Sequence, residues 1–300
     1  MTRYRMTRSV RGAVMLLPVL HSCPTCPSIL GITLYPPSLA LVIVPTVVYS
    51  VALWRLRRIG RSVPSRWPAA FYLGMGTALV ALAGPLDTYN DELLTMHMAQ
   101  HLVLIQITAP LVLLGRPLHV LLRAVPPHRA GLLTRLLLRP TWSRRILTVL
   151  TAPLVATALA SLALVVWHVP ALYERAVLSQ PVHDLQHLSF FGTALLFWWP
   201  IIDPIPRHHR VNGLWASLMV FINAVVSTVV GAILTLADDV LYTPYRFAAM
   251  PWGFTPLVDQ QVAGLLMWIG GGTLYVVIIL VLLARWLLHE EGRRMASEPA

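Results

Sequence analysis

Five histidines sit at spacings that suit metal chemistry. One stretch reads Met96-His97-Met98-Ala99-Gln100-His101 and another His183-Asp184-Leu185-Gln186-His187. In a helix, residues four apart share a face, so His97 pairs with His101 and His183 with His187. Two imidazoles one turn apart can grip one ion or bracket a cofactor edge. His168, after Trp167, is a further candidate ligand. Imidazole suits copper, zinc, iron and nickel, and thioether sulfur from Met96 or Met98 biases the set toward Cu(I). These two methionines flank His97 and point to different helix faces, so the pair is not expected to share its ion. Asp87, Asp184 and Asp259, with Gln260 beside the last, are candidates for an outer shell that orients ligand N–H groups.

The elements that must position these groups are membrane spans. The chain has 300 residues, 57% of them hydrophobic and 12% charged, with a mean hydropathy of +0.69. A soluble domain of this size has no way to hide so much apolar surface. Apolar stretches long enough to cross about 30 Å of hydrocarbon recur along it. They predict an all-α polytopic bundle of about seven transmembrane helices. The expected spans are Leu34–Trp54, Trp67–Pro85, Leu93–Leu114, Val149–Trp167, Val182–Ile202, Leu214–Leu236 and Val258–Leu288. Pro45, Pro110 and Pro153 fall inside them and predict kinks, which neighbouring helices tolerate. Gly270, Gly271 and Gly272 predict close helix packing in the last span.

All 23 basic residues are arginine, and the net charge is +11. In this setting the arginines report topology, not nucleic-acid binding. Arg55, Arg57, Arg58, Arg61 and Arg66 follow the first span. Arg116, Arg123, Arg129, Arg135, Arg139, Arg144 and Arg145 follow the third, Arg207 and Arg210 the fifth, and Arg293 and Arg294 the last. The alternate loops hold Asp87, Asp91, Glu92, Glu174, Asp238 and Asp239, with only Arg175 and Arg246. The positive-inside rule then places the C-terminus in the cytoplasm and every histidine named above toward the outer face. In the third loop, Leu118, Leu121 and Leu122, then Leu132, Leu133, Leu136 and Leu137, predict amphipathic helices on the inner surface. His208 and His209, and His119, His128 and His289, fall among inner-side charges and read as solvated.

Three regions follow: a signal-like leader at 1–33, a seven-helix membrane domain at 34–289 and a cytoplasmic tail at 290–300. The leader carries Arg3, Arg5, Arg8 and Arg11 before the short apolar run Ala13–Leu20, without an A-x-A cleavage site. A cleaved signal or a start assigned too far upstream would both fit. Cys23 and Cys26 form a C-x-x-C in this leader, a weak signal without a surrounding fold.

Several motifs in order carry a family resemblance from about Leu34 to Leu288. They are His97-Met98-Ala99-Gln100-His101, Gly115-Arg116-Pro117, Trp167-His168-Val169-Pro170-Ala171-Leu172-Tyr173, His183-Asp184-Leu185-Gln186-His187-Leu188-Ser189-Phe190, Phe197-Trp198-Trp199-Pro200 and Asp259-Gln260-Gln261-Val262-Ala263-Gly264-Leu265. The chain resembles the CtaG-type cytochrome c oxidase assembly factors, seven-span proteins of bacterial plasma membranes. Gln186 departs from the resemblance, where an acid is expected between the histidines. The resemblance implies a role in maturing a haem–copper oxidase, with copper as cargo and oxidase subunits as partners. The residues alone imply a metal-capable pocket that opens outward. They also admit a b-type haem protein with axial histidines, a metal-dependent intramembrane enzyme, or a transporter with a His/Asp relay. No H-E-x-x-H helix supports the enzyme. Self-association stays open.

Overall fold

A computed structural model describes residues 28, 29, 32, 33, 35–125, 141–202, 211–247 and 249–297. Cys23, Cys26, the leucines at 132–137, His128, His208 and His209 lie outside them. A two-residue antiparallel pair, β1 (Ser28–Ile29) with β2 (Ile32–Thr33), precedes the helices. The other elements among the described residues are helices: α1 (Pro36–Arg58), α2 (Arg66–Leu82), α3 (Pro85–Thr88), α4 (Leu94–Leu102), α5 (Ala109–Leu114), α6 (Pro117–Ala124) and α7 (Thr141–Leu150). Then come α8 (Pro153–Trp167), α9 (Pro170–Leu178), α10 (Gln180–Ile202), α11 (Gly213–Leu236), α12 (Pro256–Leu265) and α13 (Gly272–Ser297). A π-helical segment, Val103–Thr108, joins α4 to α5, and another, Leu266–Gly271, joins α12 to α13.

Among the described residues, six helical stretches are long and apolar enough to cross a bilayer, and a bent pair, α8 with α9, makes up to seven. The expected spans therefore stand, with one difference. The fourth does not run straight out of the bundle, because the chain turns by 77° between α8 and α9. Pro170 is the cause. It cannot donate a backbone hydrogen bond, and it holds Val169 extended at ψ 124°. Pro153 opens α8 at its N-terminus and kinks nothing, whereas Pro45 does lie inside α1. The last helix runs unbroken through Ser297, so the expected tail begins as helix.

Burial is arranged as a bilayer requires. Leu41, Ile43, Val44, Val47 and Val48 on α1, and Val276, Val277, Leu280 and Val281 on α13, face outward. Gln100, Gln106, Thr108, Asn223 and Ser227 are buried. In hydrocarbon, polar groups gain by facing one another and apolar ones need no shelter. The third span is central: 56% of its apolar window is buried, against 28% for the first and 17% for the last. It packs on α2, α10 and α12. The histidine-bearing α4 thus stands in the middle of the bundle.

The close helix approach occurs at Gly271 of the expected run and also at glycines outside it. A Cβ on Gly264 would stand 2.5 Å from the Gly231 carbonyl oxygen, which presses α12 onto α11. In the run of three, Gly271 alone is tight, with Gln106 of the first π segment 2.9 Å from where its Cβ would lie. The Gly115-Arg116-Pro117 stretch is the corner between α5 and α6. Arg116 takes a left-handed conformation (φ 49°), uncommon for a side chain of its size. Tyr49 donates to the Gly115 carbonyl at 2.8 Å and stacks on Phe71 at 3.9 Å, which locks the corner to α1 and α2.

Candidate metal centre

Four of the five histidines meet in a closed ring. His97 and His101 come from successive turns of α4, and their ring centroids lie 4.5 Å apart. His183 and His187 come from successive turns of α10, 4.2 Å apart. Across the helix pair, His97 faces His183 at 5.1 Å and His101 faces His187 at 5.2 Å. His168, at the break between α8 and α9, stands outside this ring, 6.3 Å from Phe190. All five are buried, with exposures of 1–8%.

Two ring nitrogens have their protons assigned by their partners. The Leu164 carbonyl, 2.7 Å from His168 Nδ1, can only accept, so Nδ1 carries the proton and Nε2 the lone pair. Tyr245 has one proton and lies 2.6 Å from the Asn90 carbonyl, which again can only accept. The phenol therefore donates there and accepts from His97 Nδ1–H at 3.0 Å. Burial pushes the Tyr245 phenol well above its usual range, so it keeps that proton. Both arrangements are those that prepare Nε2 as a ligand. Among the described residues, both ring nitrogens of His101 and Nε2 of His168 and His187 have no hydrogen-bond partner. Buried polar atoms of native proteins are rarely left this way, so such a cluster points to a ligand or bound water.

Among the described residues, no group of three or more His, Cys, Asp or Glu is placed to hold one ion. The imidazoles instead form facing pairs. A pair is sufficient for a linear two-coordinate Cu(I) and too few for a tetrahedral divalent ion.

The three carboxylates each have hydrogen-bond partners of their own. Asp87 accepts from Gln100 at 3.1 Å and Asn90 at 3.5 Å. Asp184 accepts from Tyr35 and Gln180, both at 2.9 Å. Asp259, on α12, accepts from the backbone N–H of Leu94 at 2.7 Å and of Thr95 at 3.2 Å, and from the Thr95 hydroxyl at 2.7 Å. It caps α4 from a neighbouring helix, since Leu93 at the N-cap has no side-chain bond to offer. Gln260 accepts from Leu241 N–H at 2.7 Å and donates to the Leu234 and Asp239 carbonyls, which ties the 237–241 turn to α12. Met98 is buried on the side of α4 that faces Tyr173 and Phe190, whereas Met96 is half-buried.

The groups that do orient and enclose the histidines were not legible beforehand. Tyr245 and Tyr242 come from the 237–255 connection, and Tyr242 stacks on Tyr173 at 4.0 Å. Tyr242 also donates to the His168 carbonyl at 3.1 Å, which the break after α8 leaves without a helical donor. Tyr245 and Tyr173 pack directly against the histidine rings, with His97 at 6.5 Å and 5.1 Å from them. Gln186, between the two α10 histidines, is 0% exposed, and neither amide atom has a hydrogen-bond partner among the described residues. On the far side, Trp198 of the Phe-Trp-Trp-Pro stretch donates to the Ile105 carbonyl in the π segment at 2.9 Å. A cavity of about 30 Å³ lies there, toward the bundle middle, and His101 and His168 are in its wall.

Loss of the Tyr245 hydroxyl should loosen His97 without unfolding the bundle. Tyr245→Phe should weaken any ion held through His97 by roughly 10–100-fold, the cost of removing an outer-shell partner. A metal competition titration measures it; an unchanged affinity would show that His97 is not held through Tyr245.

Helices with lipid-facing apolar surfaces around a buried histidine ring define a polytopic membrane protein with a polar, histidine-lined interior. Sequence comparison names the class. A family model described as cytochrome c oxidase caa3 assembly factor (Caa3_CtaG) matches residues 47–288, and the chain belongs to that family. It is 26% identical over 269 residues to uncharacterized proteins of Mycobacterium bovis and Mycobacterium tuberculosis, covering 85% of this chain and 39% of each relative. An uncharacterized protein of Mycobacterium leprae is 24% identical over 254 residues, covering 82% and 38%. The chain thus spans about two fifths of the length of these relatives. No solved structure matches it significantly.

Proposed function

We propose that this protein binds copper at the histidine ring and supplies it to a haem–copper oxidase during assembly, as a binding protein without turnover. Membership of the assembly-factor family supports the oxidase as the destination. The observation that carries copper is the set of buried imidazole nitrogens, on His101 and His187 of the ring and on His168 beside it, that have no hydrogen-bond partner among the described residues. Haem fits less well. A porphyrin lies between its two axial imidazoles, and rings 4.2–5.2 Å apart leave no gap for one. The arginine split supports the location: the ring lies at the end of the bundle whose loops carry Asp87, Asp91, Glu92, Asp238 and Asp239, hence the outer face of the plasma membrane, with the C-terminus inside.

Metal analysis of the purified protein tests this. Wild type should hold copper stoichiometrically, and a variant with alanine at His97, His101, His168, His183 and His187 should hold none. Equal copper in that variant would sink the site.

A further inference from the structure

The cavity below the ring is not explained by a histidine site alone. Its wall includes Met98 and His101 from α4, His168 from the α8–α9 break, and Met267 from the second π segment. All four are buried, Met98 to 1% exposure and Met267 to 2%. Met98 lies within the histidine motif, whereas Met267 lies far along the chain in an apolar run with no periodic signal.

We propose that these four side chains form a second ion seat, specific for Cu(I), that lies deeper in the membrane than the histidine ring. The proposal rests on the reading that the protein handles copper, and adds where the ion goes and in which oxidation state. Three observations carry it. First, the donors are soft or borderline: two thioethers and two imidazoles, the ligand types that select Cu(I) over harder cations. Met98 and His101 are three apart on α4, hence on one face. Second, two nitrogens of His101 and Nε2 of His168 have no hydrogen-bond partner among the described residues, and the bond from His168 Nδ1 to Leu164 leaves Nε2 as the lone pair. Third, the remaining wall contains no carboxylate. It is Leu102, Ile105, Leu164, Phe190 and similar apolar groups, with the uncharged Gln106, Thr193, Asn223, Ser227 and Tyr275. The cost of burying an ion rises with the square of its charge, and here no anion offsets it. A monovalent ion is therefore favoured strongly over a divalent one.

The position also gives a route. His101 belongs to both sites: it faces His97 and His187 in the ring and lines the cavity below. An ion can pass from ring to seat by exchanging ligands around one imidazole, never leaving coordination. Both π segments border the seat, one contributing Ile105 and Gln106 and the other Met267. Such segments recur at functional sites because a turn one residue wider alters which side chains face inward.

The test uses the full chain purified in detergent under reducing, anaerobic conditions. Cu(I) is added and followed by chelator competition and by X-ray absorption at the copper edge. Wild type should show sulfur in the first coordination shell. Met98→Leu with Met267→Leu should lose that shell and weaken Cu(I) binding by roughly 100-fold or more, beyond the effect of losing an outer-shell partner. Leucine nearly conserves methionine volume, so the fold should hold. Met96→Leu, away from the cavity, should change neither readout. Copper bound by wild type through nitrogen alone would overturn the seat and leave the histidine ring standing. No copper bound at all would overturn both. Zn(II) bound as tightly as Cu(I) at a sulfur-containing site would overturn the selectivity.

Discussion

A strain that lacks this protein should make the oxidase polypeptides yet lose most of its caa3-type oxidase activity. Variants at His97, His101, His168, His183 or His187 should insert stably and still fail to restore it. On the proposed copper-supply role the expected effect is large, because these substitutions remove the ion-holding groups and leave the scaffold around them intact. Histidines drawn from three separate helical elements suit a carrier that must also release its cargo. A small shift of α4 against α10 opens the facing pairs, His97 with His183 and His101 with His187. Excess copper in the medium should partly rescue the deletion if supply limits assembly. If the histidine variants restore activity fully, the ring is not the working part. The protein would then act through its basic third loop, from Arg116 to Arg145, as a scaffold on the cytoplasmic side.

The second large effect is on stability. Asp259→Ala should destabilise the bundle more than any single change in the histidine ring. Asp259 is 3% exposed and satisfies two backbone N–H groups and one hydroxyl at the start of α4. Each buried donor left without an acceptor costs about 1–3 kcal/mol, and the site is nearly sealed from solvent. The helix dipole adds to the loss, since an anion at an N-terminus is stabilising. Asp259→Asn keeps an acceptor oxygen and should fall between wild type and alanine. Thermal unfolding of the three purified proteins in one detergent decides it, and equal midpoints would refute the cap. Because α4 carries His97 and His101, the alanine variant should also hold copper less tightly.

Much of the architecture was present in the order of residues. Length and hydropathy specified the spans almost to their ends, because a bilayer demands continuous apolar helix of nearly fixed length. The i, i+4 histidine pairs were equally readable, since helical periodicity alone puts them on one face. The sequence by itself therefore determined an all-α membrane bundle, two paired-imidazole faces, and the family, through motifs preserved in order. It did not determine which face meets which. Tertiary packing decided that His168 stands apart from the ring, because the Pro170 break sends α9 sideways and leaves His168 at the corner. It decided that Asp87, Asp184 and Asp259 meet side-chain amides, a phenol and a helix end, since an Asp four residues or a hundred and sixty away from its partner looks the same in sequence. It also brought Tyr245 and Met267 to the site from an irregular connection and a π segment, where no periodic signal exists. The physical reason is common to all three: periodicity reports which residues share a face of one helix, and only the packing of helices reports what that face touches.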